Sequence, residues 1–169
     1  MELYTKRLLL RSLRPEDWRQ VQCLFRDFSD SSLAIYDAPL PCDDAGSEAL
    51  TRIFAESGLF FSVFEKGSDT MAGYVCFHRE ESVYDLGYLF HRDFQGKGYA
   101  LEACNELLDY MEQQSICHFS AHTAMENVAS FRLLNHLGFE LRSIRPHAFH
   151  ADENGEPILF HSGKFLLEL

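Results

Sequence analysis

The residues Gln95-Gly96-Lys97-Gly98-Tyr99-Ala100 stand between an apolar run, Leu86-Gly87-Tyr88-Leu89-Phe90, and the start of a helical pattern. A glycine-rich turn from strand to helix leaves a row of backbone N–H groups without partners at the helix N-terminus. Those donors, with the positive end of the helix dipole, form a site for an anion such as a pyrophosphate. Gly96 and Gly98 lack a Cβ, so the backbone can take unusual φ values and a phosphate can come close. This chemistry points to a nucleotide-like cofactor. What the turn lacks narrows the choice. A P-loop needs a hydroxyl residue after its lysine, and Lys97 is followed by Gly98. The dinucleotide fingerprint needs a small residue three after the second glycine, and that position is Leu101.

A second stretch, Asn127-Val128-Ala129-Ser130-Phe131-Arg132-Leu133-Leu134-Asn135-His136-Leu137-Gly138-Phe139, reads as a helix with its own punctuation. Asn127 is a good N-cap, Phe131 and Leu134 share a face, and Gly138 ends the helix. Near the N-terminus, Thr5-Lys6-Arg7-Leu8-Leu9-Leu10-Arg11 is followed by Asp17. Together these segments resemble the GCN5-related N-acetyltransferase (GNAT) superfamily. The turn fits its pyrophosphate pattern Q/R-x-x-G-x-G/A, and the second stretch resembles its N-x-x-S-x-x-L-x-x-x-G-F segment, with one residue more between Leu133 and Gly138. The N-terminal stretch is similar to the opening strand and first helix of the RimJ/RimL-type branch, named for ribosomal-protein N-terminal acetyltransferases. The resemblance covers nearly the whole chain.

It implies transfer of an acetyl group from acetyl-CoA to a primary amine by direct attack on the thioester. The amine would be a protein N-terminus or a small molecule such as an aminoglycoside or polyamine. By the same resemblance the amides of Gln95, Gly96, Lys97, Gly98, Tyr99 and Ala100 would hold the pyrophosphate. A backbone amide around Leu89 or Phe90, at the splayed end of the fourth strand, would receive the thioester carbonyl. The thiolate needs a proton source and the attacking ammonium must lose a proton. Many relatives of this kind place Tyr one after the leucine of the second motif, but here that position is Leu134, which cannot donate. Ser130 stands where others have Ala, as in the RimJ/RimL branch, and would serve as the proton source, unless it merely occupies a first turn that favours hydroxyls. Asn127 would cap the helix or bind the pantetheine arm, and the two roles are compatible.

Asp85 matches the acidic position before the strand's Gly-Tyr and shares a face with Gly87 and Leu89 by alternation. It is the candidate base, acting through water, against the plainer reading of a solvated strand carboxylate. Glu126 and Glu156 are lesser candidates. Among eight histidines, His118 and His122 would lie on one face of a strand but ~13 Å apart, too far for one zinc ion, so no metal is expected. His147, His150 and His161, near the C-terminal hairpin, would line an acceptor cleft or sit in solvent. A rival from another class is a catalytically silent module that binds acetyl-CoA as a sensor or scaffold. Ser130 and Asn127 beside an intact turn favour the enzyme.

Bulk properties agree with a single N-acetyltransferase domain spanning residues 1–169, its hydrophobic content of 46% sufficient for one core. Fifteen basic residues against 26 acidic ones give a net charge of −11, which repels nucleic-acid phosphate and attracts cationic amines. No apolar run approaches the ~18 residues that span a bilayer, and the N-terminus does not read as a signal peptide. The cysteines Cys23, Cys42, Cys76, Cys104 and Cys117 form no C-x-x-C pair, which implies reduced thiols and a cytoplasmic protein. A monomer or homodimer is expected.

The elements that must position these groups follow from periodicity. Strands are expected over 6–13, 59–65, 71–79, 83–90, 116–123, 139–149 and 157–167. Helices are expected from Pro15 with Trp18, Val21, Phe25 and Phe28 inward, over 47–57, over 95–114 with Ala100, Cys104, Leu107 and Met111 inward, and over 127–137. Residues 29–46 read as a loop or broken helix. The result is an α/β (α+β) fold with a mixed central sheet of about six to seven strands and about four helices. It corresponds to a GNAT-like acyl-CoA N-acyltransferase fold by resemblance.

Overall fold

A computed structural model describes residues 1–169. The strands are β1 (Glu2–Tyr4), β2 (Leu8–Ser12), β3 (Phe60–Glu65), β4 (Met71–Glu80), β5 (Val83–Phe90), β6 (His118–Ala124), β7 (Glu140–His147) and β8 (Phe160–Glu168). The helices are α1 (Trp18–Ser29), α2 (Asp44–Ser57), α3 (Tyr99–Gln113) and α4 (Val128–His136). One sheet of eight strands runs in the order β1-β2-β3-β4-β5-β6-β8-β7. Seven of the eight strands answer to expected ones. The additional strand, β1, is three residues long and too short to show a period, but it pairs Leu3 with Leu10 of β2.

Strand β3 and the first seven residues of β4 are buried on both faces, and their sequences accordingly read as nearly continuous apolar runs. On one face Leu8, Leu10, Val63 and Phe77 pack under Cys104, Leu107 and Met111 of α3. On the other, Phe60, Phe64 and Tyr74 pack under Val21, Leu24 and Phe25 of α1. Trp18, Phe28 and Ala100 are only half-buried. Leu24, Ala103 and Leu108 are buried in those helices instead. Helix α2 begins earlier than expected because the Asp43 carboxylate accepts the Gly46 N–H at 2.8 Å and caps it. All five cysteines are free, and burial pushes the Cys76 thiol up to about 12. No helix is long and apolar enough to cross a membrane.

Every strand pairing is antiparallel except β5 with β6. That parallel pair is short, joining only Tyr84 to Phe119 and Asp85 to Ser120. Beyond Asp85 the strands part, so the far half of β5 has a free edge. The opening lies in the middle of the sheet, where α3 crosses from β5 to β6, and α4 follows β6 directly.

Candidate active site

The turn expected to bind an anion is built as its glycines suggest. Gly96 and Gly98 adopt φ of 71° and 76°, a region costly for residues with a Cβ. Gly98 is the N-cap of α3. The Gln95 N–H donates to Arg92 O and the Glu102 N–H to Gly98 O, while the amides of residues 96–101 donate to no acceptor in the chain. A continuous row of free donors thus faces outward at a helix N-terminus, which fits a pyrophosphate.

The turn is braced from β2's approach. The Arg7 guanidinium donates to Lys97 O at 2.7 Å and to the Glu102 carboxylate at 2.6 Å, and lies over the Tyr99 ring. Thr5 Oγ1 donates to the same carboxylate at 2.5 Å. Two of the expected cofactor residues have supporting positions. The Gln95 side chain donates to Phe90 O at 2.8 Å, tying the turn to the end of β5. The Lys97 ammonium lies over the Phe94 ring, 5.2 Å from its centre, and its amide donates to nothing in the chain.

A groove of about 590 Å³ runs from this turn between β5 and α4. Leu89, Phe90, Gln95, Gly96, Gly98, Tyr99, Ala100, Asn127 and Ser130 line it, with Leu133 and Arg132 at its α4 side. On the other side of the opening lies a cavity of about 300 Å³ walled by Tyr36, Phe60, Tyr74, His78, Gly87 and His122. The groove and the cavity share Phe28, Leu33, Tyr88, Leu89, Asn127 and Ser130. They therefore meet where β5 and β6 part. The His91 N–H bonds Ala72 O on β4, so strand alternation turns the Leu89 amide toward β4 and the Phe90 amide toward the opening. Of the two expected carbonyl-binding amides, Phe90's faces the junction.

Ser130 stands at the junction. Its backbone N–H donates to Asn127 Oδ1 at 3.1 Å, so Asn127 caps α4 as expected, and its side-chain nitrogen donates to nothing in the chain. Ser130 Oγ and Tyr88 Oη lie 2.6 Å apart and share a hydrogen bond. Burial pushes the Tyr88 phenol well above its usual range, against the effect of Ser130, so both hydroxyls hold their protons at neutral pH. The sequence reading missed Tyr88. Strand alternation places it opposite Asp85's face, but which helix it meets depends on a contact 42 residues away.

Asp85 does not line the cavity; His122 does. The Asp85 carboxylate accepts from Ser120 Oγ at 2.7 Å and from His122 Nδ1 at 2.9 Å. Burial acts to raise the Asp85 carboxyl, but the His122 and Ser120 bonds outweigh it and hold it below its usual value. The bond to Asp85 lifts the His122 imidazole above its ordinary value, against the opposing effect of burial. Asp85 thus fixes the ring while His122 presents Nε2 outward. His118 opens instead on a separate pocket with Val83 and Glu168.

The remaining candidates lie elsewhere. Glu126 accepts from His161 Nδ1 at 3.1 Å, and neither Glu126 nor Glu156 lines the cavity. His150 Nε2 bonds the carbonyls of Ala34 and Asp37, fastening the β7–β8 connection to the loop that walls the cavity. His147 packs edge-on against Phe149.

The sequence pattern of acetyltransferase (GNAT) domains matches residues 7–140. The chain is 28% identical over 142 residues to the uncharacterized N-acetyltransferase YnaD of Bacillus subtilis (strain 168). It is 32% identical over 149 residues to the uncharacterized N-acetyltransferase p20 of Bacillus licheniformis, and each match covers 82% of both chains. Among solved structures, an acetyl transferase from Salmonella typhimurium superposes with a TM-score of 0.81 at 16% identity, over 98% of this chain and 96% of that one. That protein modifies the N-terminal serine of 50S ribosomal subunit protein L7/L12.

Proposed function

The chain belongs to the GNAT acetyltransferase family, and from that premise we propose that it acetylates a primary amine where groove and cavity meet. The observation that carries this reading is the shared wall. Free amides at one end of the groove suit the pyrophosphate of acetyl-CoA, Phe90 lines the groove, and Ser130 and Tyr88 stand where it opens into a second, acceptor-sized cavity. Acetyl-CoA supplies an activated acyl group and a thiolate leaving group.

The chain's residues then divide the work. The amides of residues 96–101 orient the cofactor, and the free Asn127 side-chain nitrogen is placed for the pantetheine arm. The Phe90 N–H donates to the carbonyl oxygen as negative charge builds there. Neutral His122, held by Asp85, takes the proton from the acceptor ammonium in the cavity. The amine nitrogen forms the new C–N bond and sheds its second proton to solvent in the cavity, the C–S bond breaks, and Ser130 Oγ gives its proton to the departing sulfur. Tyr88 replenishes that proton through the 2.6 Å contact and, as part of the cavity wall, recovers its own from solvent. Asp85 is thereby a positioning residue rather than the base itself. A protein N-terminus and a small amine both remain within this acceptor class. The reaction needs no metal.

Binding tests the cofactor assignment directly. CoA or acetyl-CoA should raise the melting temperature, and ATP or NAD should hardly change it, because only a ligand that binds the folded state stabilises it. The reverse ranking would return the glycine turn to other nucleotides.

The base assignment makes a pH prediction. His122 must be neutral to accept a proton, so activity falls as pH drops through its pKa, which the bond to Asp85 holds above the usual imidazole value. Asp85→Asn removes the main cause of that elevation. The acid limb of kcat/KM for a given acceptor should therefore move to lower pH, while the maximum rate falls through looser positioning. An acid limb unmoved by Asp85→Asn would exclude His122 as the base.

A further inference from the structure

Beyond His122 the sheet carries a second pocket of about 390 Å³, walled by His122, Ser143, Arg145, His147, Ser162 and Lys164 with Pro146 beside them. None of its walls is a carboxylate. Apart from Pro146, its residues come from one face of three adjacent strands. His122 of β6 pairs with Lys164 of β8, which pairs with Ser143 of β7, and Arg145 pairs with Ser162 one step along the same face.

The chain carries a net charge of −11. Arg7, Arg11, Arg26, Arg52, Arg92 and Arg142 each lie against a carboxylate, and the other five arginines and the four lysines do not. Among these unpaired cations Arg145 and Lys164 wall one pocket together, beside two serine hydroxyls. Two unpaired cations and two hydroxyl donors converging on one concave site are the donor set for a carboxylate or phosphate.

Position gives the pocket a role. His122 belongs to its wall and to the wall of the acceptor cavity, so the two spaces adjoin at the imidazole. Strand spacing puts the Lys164 backbone ~5 Å and the Arg145 backbone ~12 Å from that of His122. We propose that this pocket holds an anionic group, a carboxylate or phosphate, belonging to the molecule whose amine is acetylated. The inference rests on the acetyltransferase reading and deepens it: the acceptor is an amine with an anion a short reach from its nitrogen. The acidic surface favours the amino end of such an acceptor, and the Arg145–Lys164 pocket selects its other end.

The test compares matched acceptors by CoA release, in the wild type and in an Arg145→Glu/Lys164→Glu variant. Phosphoethanolamine is paired with ethanolamine, and a Ser-Glu peptide with a Ser-Gln peptide, so that a small anion and an acidic peptide are told apart. At least one anionic member should exceed its neutral partner in kcat/KM by roughly tenfold or more, the scale of one charge-assisted hydrogen bond. The variant should erase or invert that ratio. Neutral partners equal to the anionic ones, or a ratio the variant leaves in place, would overturn the proposal. A second arm does not depend on acetyl transfer. With the glycine turn saturated by CoA, millimolar inorganic phosphate should raise the melting temperature of the wild type and not of the folded variant. No shift in the wild type, or equal shifts in both, would overturn the anion site even if acetylation is observed. Phosphate stabilisation specific to the wild type, without CoA release from any amine, would instead uphold the anion site and refute the acetyltransferase reading.

Discussion

Gly98→Trp is expected to abolish acetyl-CoA binding while the protein remains folded. Gly98 is exposed and caps α3 with φ of 76°. Any side chain there adds left-handed strain of about 1–2 kcal/mol, which a domain with an ordinary stability of roughly 5–15 kcal/mol survives. The Cβ itself meets only an Arg7 guanidinium nitrogen, at 3.4 Å. An indole, however, covers the neighbouring amides that donate to nothing else in the chain. Loss of those donors should weaken affinity by roughly 100-fold or more, equivalent to about 3 kcal/mol. Gly98→Ala separates the two effects, because it adds the strain with little bulk and should retain more of the binding. Titration calorimetry on the folded tryptophan variant is the measurement, and unchanged affinity would contradict the pyrophosphate assignment.

Ser130→Ala should lower kcat by roughly 10- to 1,000-fold, within the usual reach of general acid catalysis. Thiolate is a good leaving group, so the lower end of that range is expected. The loss should shrink as pH falls and solvent supplies protons. Acetyl-CoA affinity should change little, since the glycine turn is untouched. Helix capping is also preserved, because Asn127 accepts the backbone N–H of residue 130, which alanine retains. The melting temperature should accordingly stay close to that of the wild type. Tyr88→Phe keeps the serine but removes its 2.6 Å partner, and should produce a smaller loss of the same pH form. A folded Ser130→Ala protein with unchanged kcat across pH would remove Ser130 from catalysis and leave solvent as the proton source.

The parts of this site that were legible in the sequence are those fixed by local chemistry. Gly96 and Gly98 announced a turn that needs positive φ, and the turn has it. Asn127 and Gly138 marked the two ends of α4, and Gly138 takes φ of 87°. Strand alternation correctly put Asp85, Gly87 and Leu89 on one face of β5, but it could not say what else reaches that face. The answer comes from β6, whose Ser120 sits beside Asp85 in parallel register and whose His122 lies two residues further on. Parallel partners separated by a crossover helix leave no short-range signal, so Asp85 read as a base acting through water or a solvated carboxylate, with nothing to show that its Oδ1 accepts from both Ser120 and His122. The same reason hid the Tyr88–Ser130 contact and the Arg7 brace on Lys97, which join residues 42 and 90 apart. Most of the fold was legible because its strands are long and apolar; β1 was missed because three residues cannot display a period.

The central claim, acetyl transfer to an amine at the junction of groove and cavity, is tested most directly by product stoichiometry. Wild-type protein is incubated with acetyl-CoA and a panel of primary amines, and both free CoA thiol and acetylated amine are quantified by mass spectrometry. At least one amine should yield equal amounts of the two products, with the yield abolished by Gly98→Trp. Thiol release without acetylated amine, or neither product from a protein that binds acetyl-CoA, would contradict the account.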